Sequence, residues 1–156
     1  MNLAIIKSKI ESVFRGHPEV AAVYLFGSYA KGKNHFRSDL DLAIHFENYL
    51  SPRESYQKRE SFFVELVKKT GLEADIIDLA NINLILMQEI LENNMLLVEN
   101  NRYKNRVFIA KKILEVLDFQ YTLNICLKGS YERSLERLNG KKNRTEQKGE
   151  QSLTKS

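Results

Sequence analysis

The chain is short of the residues that staple or punctuate small folds. It has one cysteine, Cys126, and two prolines in 156 residues. A lone thiol cannot form an internal bridge, which excludes a disulfide scaffold and is compatible with a reducing compartment. With seven glycines besides, collagen-like composition is excluded as well. Long apolar runs are also missing. The longest, Val20 to Phe26, has seven residues, against roughly 20 needed to cross a bilayer, so no membrane association is expected. The opening MNLAIIKSKIE meets a charge at its seventh residue and offers no small-residue cleavage site. No signal peptide is read there, and the expected compartment is the cytoplasm.

What remains is ordinary globular material. Hydrophobic residues make up 43% and charged residues 28%, which excludes a wholly disordered chain and suits one domain with its own core. The net charge of +4 hints at nucleic acid until it is located. From Asn139 to Ser156 there are five basic and two acidic residues, a balance of +3 that leaves +1 for residues 1–138. A nucleic-acid-binding domain would concentrate its charge on a folded face. Here the excess falls in a tail with one large apolar residue, Leu153, so 139–156 is expected to be a disordered basic tail, and direct nucleic-acid binding is not expected.

Hydrophobic spacing supplies the elements. Leu3, Ile6, Ile10, Val13 and Phe14 recur at helical intervals, and Gly16 and Pro18 end that helix. Val20 to Phe26 reads as a buried strand. From Asp39 the chain alternates, with Asp39, Asp41, Ala43 and His45 on one face and Leu40, Leu42, Ile44 and Phe46 on the other. Ser51-Pro52-Arg53-Glu54 is a capping box that opens a helix closed near Gly71. Ala74 to Leu79 reads as a third strand, 82–91 as a short helix and Met95 to Val98 as a fourth strand. A long helical stretch follows, with Tyr103, Val107, Ala110, Leu114, Leu117 and Tyr121 in one stripe. Gly129 predicts a kink there, or two helices. The expected fold class is α/β (α+β): a small mixed four-stranded sheet with packed helices. It divides into 1–100, a helical segment 101–138 packed on the sheet or on a partner, and the tail.

The chemistry concentrates in Gly27-Ser28 and Asp39-Leu40-Asp41. A strand running into Gly-Ser and then a helical turn presents backbone N–H groups to an anion, and glycine permits close approach. Asp39 and Asp41, two apart on a strand, leave the same face. Adjacent carboxylates repel, and a divalent cation is the usual reason to tolerate them. Mg²⁺ beside a phosphate cradle is therefore expected, with two such ions able to activate an attacking hydroxyl and stabilise a leaving pyrophosphate. Asp75 and Asp78 on the third strand point to opposite faces, so only one can join the pair; parity alone does not say which.

Gly-Ser, a ten-residue step, Asp-x-Asp on a strand and a lone Asp on the next strand resemble the DNA polymerase β-type nucleotidyltransferase superfamily. More narrowly, residues 20–100 resemble the minimal nucleotidyltransferase (MNT) antitoxins of MNT/HEPN toxin–antitoxin pairs. The resemblance selects Asp75 as third carboxylate, so Asp39, Asp41 and Asp75 are the expected catalytic and metal-binding residues. It implies ATP as substrate, its phosphates against Gly27 and Ser28, and transfer of AMP to a tyrosine of a cognate HEPN ribonuclease toxin within a hetero-oligomer. Where relatives often carry Arg-Pro, this chain has His35-Phe36.

Other residues carry weaker expectations. Lys31 and Arg37 are candidates for nucleotide phosphate, against ordinary solvated roles. His45 lies ~13 Å along the strand from the carboxylate pair and reads as a surface histidine. Cys126 reads as a small packed hydrophobe, Tyr29 as a packing residue and Asp78 as a polar strand end. Competing functions are a silent module that neutralises a toxin by binding, and a transferase acting on a small hydroxylated compound.

Overall fold

The computed structural model describes residues 3–35 and 38–153, with side chains as far as Arg137. Ten elements follow in order: α1 (Leu3–Phe14), β1 (Val20–Leu25), the one-turn α2 (Gly27–Ala30), β2 (Leu40–Phe46), α3 (Pro52–Thr70), β3 (Ala74–Asp78), a 3₁₀ turn (Leu79–Asn81), α4 (Leu84–Glu92), β4 (Met95–Glu99) and α5 (Arg102–Leu153). The strands form a single sheet in the order β3-β2-β1-β4. β1 pairs antiparallel with both β2 and β4, whereas β2 and β3 run parallel. The sheet is mixed and four-stranded, as its patterning implies.

Both faces are covered. Ile6, Ile10 and Phe14 of α1 and Phe62 and Leu66 of α3 pack against Leu40, Leu42 and Ile44 of β2. Burying each such side chain stabilises the fold by about 1.5–3 kcal/mol. On the opposite face, Met87 and Ile90 of α4 and Val116 of α5 pack against Ala22, Tyr24 and Ala43. β1, with a neighbour on each side and helices above and below, is buried at every position. The capping box forms as expected: Ser51 Oγ accepts from the Glu54 N–H, and the Glu54 carboxylate accepts from the Ser51 N–H at 2.9 Å. Gly71 closes α3 in the left-handed conformation, φ 73°.

Several sequence expectations are corrected. α5 is one continuous helix through Gly129 rather than two; a glycine there costs about 1 kcal/mol relative to alanine without ending a helix. The helix is described as far as Leu153, which runs into the segment from Asn139 expected as a tail. Residues 154–156 lie outside the described residues. The stripe of Tyr103, Val107 and Leu114 is exposed. A different face of α5, carrying Asn105, Phe108 and Val116, meets the sheet. Cys126 is exposed, not packed.

The chain divides into two compact units, 1–116 and 117–156. The first holds the sheet, all the helices that cover it and the start of α5. The described residues of the second belong to the remainder of α5.

His45 is not the surface residue its strand position suggests. It is buried, stacks on Phe108 with ring centroids 4.0 Å apart, and its Nδ1 lies 3.2 Å from Asn105 Oδ1. Asn105 Nδ2 donates to the Tyr24 hydroxyl at 2.6 Å and to Glu99 at 3.0 Å. This polar cluster joins β1, β2, β4 and α5, and satisfied buried polar groups of this kind specify a single packing arrangement.

Candidate active site

The site grows from the ends of β1 and β2 and from the sheet edge at β3. The Phe26 N–H donates to the Asp41 carbonyl at 2.9 Å, which clamps the exit of β1 beside β2. The next residue, Gly27, has φ 64°, and a Cβ there would overlap the Asp41 carboxylate. Only glycine permits both the backbone conformation and the close approach. The Ser28 N–H lies close enough to the Asp41 carboxylate to favour its charged form. The Gly-Ser turn thus lies directly against the second Asp of the Asp-x-Asp pair.

β3 brings the third acid. In the parallel β2–β3 ladder Asp41 is the register partner of Asp75, and Ile44 that of Asp78. Residues paired in a ladder share a face, so Asp75 stands beside Asp41 on the side of the sheet covered by α4. Asp78 points the other way, where its carboxylate accepts from Ser55 Oγ of α3 at 2.8 Å and from Asn81 at 2.8 Å. Here the ladder decides what parity leaves open. Asp39 sits one residue ahead of β2 and is exposed.

The electrostatics record the crowding. Burial raises the Asp41 carboxyl above its ordinary pKa; the charges of Asp75, Asp39 and Glu89 push the same way, while the Ser28 N–H opposes. Glu89, from α4, is a fourth acidic group that no motif in the sequence marks. It also bonds Lys31 Nζ at 2.9 Å, so the lysine expected to meet phosphate is held beside the site in an ion pair. Tyr29 is buried in the core, in its expected packing role. Arg37 lies outside the described residues, as does Phe36.

Among the described residues, no three His, Cys, Asp or Glu side chains are grouped so as to hold a metal ion by themselves. Mg²⁺ is usually held by one or two carboxylates, with substrate phosphates and waters completing its octahedron. Asp41 and Asp75, adjacent and mutually repelling, fit the protein's share of such a set.

Comparison with known proteins places this geometry. The family model described as "Polymerase beta, Nucleotidyltransferase" matches residues 8–103. The protein adenylyltransferase MntA of Shewanella oneidensis is 27% identical over 85 residues, which span 54% of this chain and 58% of that relative. The match therefore takes in little more than half of that protein's length. Among solved structures, a toxin–antitoxin complex with AMP-PNP superposes with TM-score 0.63 at 23% identity, covering 78% of this chain and 95% of the other. A tri-AMPylated Shewanella oneidensis HEPN toxin in complex with its MNT antitoxin gives TM-score 0.60 at 20% identity, over 81% and 97%. At these identities the likeness speaks for the fold.

Proposed function

The chain belongs to the polymerase β nucleotidyltransferase family, and we propose that it is an antitoxin of the MNT/HEPN kind that transfers AMP from ATP to a hydroxyl, preferably a tyrosine, of a cognate HEPN toxin. The observation that carries this reading is the register pairing of Asp41 with Asp75 beneath the turn at Gly27. Support for the substrate and partner comes from the protein adenylyltransferase relative and from the toxin–antitoxin folds, one with AMP-PNP and one with an AMPylated toxin.

Asp39, Asp41 and Asp75 would hold Mg²⁺, in the two-ion arrangement the reaction class favours; the metal supplies charge neutralisation on the phosphates and acidifies the acceptor hydroxyl. The nucleotide phosphates lie against Gly27 and Ser28, and Lys31 exchanges Glu89 for phosphate oxygens. Arg37 completes the set of phosphate-binding side chains. The acceptor oxygen attacks the α-phosphorus as the bond to the bridging oxygen of the leaving pyrophosphate breaks. Asp75, on the sheet edge, takes the acceptor's proton. The cytoplasm is the compartment that supplies both ATP and a toxin to neutralise.

The decisive experiment is the double substitution Asp39→Asn with Asp41→Asn. Mass spectrometry of coexpressed HEPN toxin is expected to show AMP-sized additions with the wild-type chain and none with the variant, and toxicity is expected to return. Undiminished neutralisation by the variant would leave steric binding as the function.

A further inference from the structure

We infer that the open edge of β3 is the acceptor's docking strip: an extended segment of the acceptor protein lies along it and pairs with its main chain, with Arg59 donating to one of the segment's carbonyl oxygens. The inference rests on the transferase reading only for the identity of the acceptor.

β3 closes one side of the sheet, so half of its main-chain groups have no strand to bond. The Leu40 N–H donates to the Glu73 carbonyl at 2.9 Å, which directs the groups of residues 73, 75 and 77 toward β2. Those of Ala74 and Ile76 face outward. Arg59 of α3 reaches this outer edge and donates from Nη1 to the Ile76 carbonyl at 2.9 Å. Its Nε is buried and has no hydrogen-bond partner among the described residues. Among the described residues Arg59 joins no ion pair. Asp78, close by, is already engaged by Ser55, Ala80 and Asn81. A donor that the fold leaves without a partner calls for an explanation.

The surroundings supply one. Arg59 lines two cavities that follow the edge in succession. One, of about 190 Å³, includes Phe63, Ala74 and Asp75. The other, of about 430 Å³, includes Ile77, Asn81 and Ile82. Together they trace a groove from the start of β3 to the turn beyond it, with a proposed catalytic carboxylate on its lip. A small acceptor would use one end of such a groove. A polypeptide matches the whole of it, because its donors and acceptors repeat at the strand's own spacing and its alternate side chains drop into successive cavities. Glu60 and Asp75 in the first cavity disfavour an anion there, which makes a neutral carbonyl the oxygen best suited to the spare guanidinium donors. Arginine at a strand edge also guards against unwanted pairing, and that simpler role predicts no effect on acceptor affinity.

Purified HEPN toxin and the full chain test the proposal. In the Asp39→Asn, Asp41→Asn background, addition of toxin is expected to slow amide hydrogen exchange in the fragment containing Ala74 and Ile76. In the otherwise wild-type chain, Arg59→Ala and, separately, Ala74→Pro, which removes an outward N–H, are expected to raise KM for the toxin at least tenfold. kcat should change less than threefold, the melting shift produced by Mg·ATP should be retained, and Arg59→Lys should recover part of the affinity. Unchanged KM in both variants, or no protection of the β3 edge in the complex, overturns the docking strip. Loss of the Mg·ATP shift in Arg59→Ala also overturns it, by assigning Arg59 to the nucleotide instead. Protection of the edge by a toxin that receives no AMP from the wild-type chain upholds docking while removing the transferase reading.

Discussion

Asp41 is held where a negative charge is least welcome. It is partly buried, receives one backbone N–H, and has Asp75, Asp39 and Glu89 near enough to oppose its ionisation. A carboxyl that holds its proton more tightly folded than unfolded costs stability as pH rises from the unfolded value of about 4 through the folded one. Asp41→Asn keeps the acceptor for Ser28 and removes the charge. It is expected to be more stable than wild type at pH 7, by about 1 kcal/mol, the scale on which active-site tension is commonly relieved. The gain should fade toward pH 4, and urea melts at the two pH values measure it. An Asn variant less stable at pH 7 would mean that the repulsion contributes nothing to the fold. Gly27 belongs to the same local logic, since its positive φ and the carboxylate beside it bar any side chain.

At the scale of elements, the join between α5 and the sheet is polar at its heart and therefore pH-sensitive. Burial holds the His45 imidazole below its ordinary pKa, against the contrary influence of Asn105, Glu47 and Asp78; Lys104 adds to the lowering. A base whose folded pKa is depressed contributes stability above the unfolded value of about 6.5, lost as pH falls from there through the folded one. In the wild-type chain the melting temperature is expected to fall between pH 7 and 5, and His45→Gln should flatten that fall. Thermal scans across that range would show whether His45 is the group responsible. The start of α3 offers a simpler test: Ser51→Ala removes the oxygen that caps the Glu54 N–H and is expected to cost about 1 kcal/mol, read from the denaturation midpoint.

A ligand held at the proposed site would stabilise the whole molecule. Anything that binds the folded chain alone stabilises it by mass action, about 2.7 kcal/mol when ligand exceeds Kd a hundredfold. Mg²⁺ with ATP together is expected to raise Tm by several degrees. ATP with EDTA should raise it far less, because the phosphates then add charge to Asp39, Asp41 and Asp75 without a cation between them. An equal shift with and without metal would remove Mg²⁺ from the account. The exposed stripe at Tyr103, Val107 and Leu114 bears on this scale too. The sheet is covered without it, so the apolar periodicity of α5 reports more than the needs of the core.

Local pattern was enough to read the strands, the capped helix α3 and the tight turn at Gly27-Ser28 that meets Asp41, because period-two alternation, caps and tight turns are short-range physics. The neighbours of those residues were not legible, since contacts between distant segments leave no periodicity. His45 looked like a surface residue until Asn105, 60 positions later, met its ring. Asp75 and Asp78 were equivalent by parity until the ladder with β2 put one beside Asp41 and sent the other to Ser55. Glu89 and Arg59 sit on unremarkable helix faces in the sequence, and only packing brings one to Lys31 and the other to the edge of β3. Spacing along the chain could say which residue types were present and which face each would take, whereas long-range pairing alone determined which of them meet.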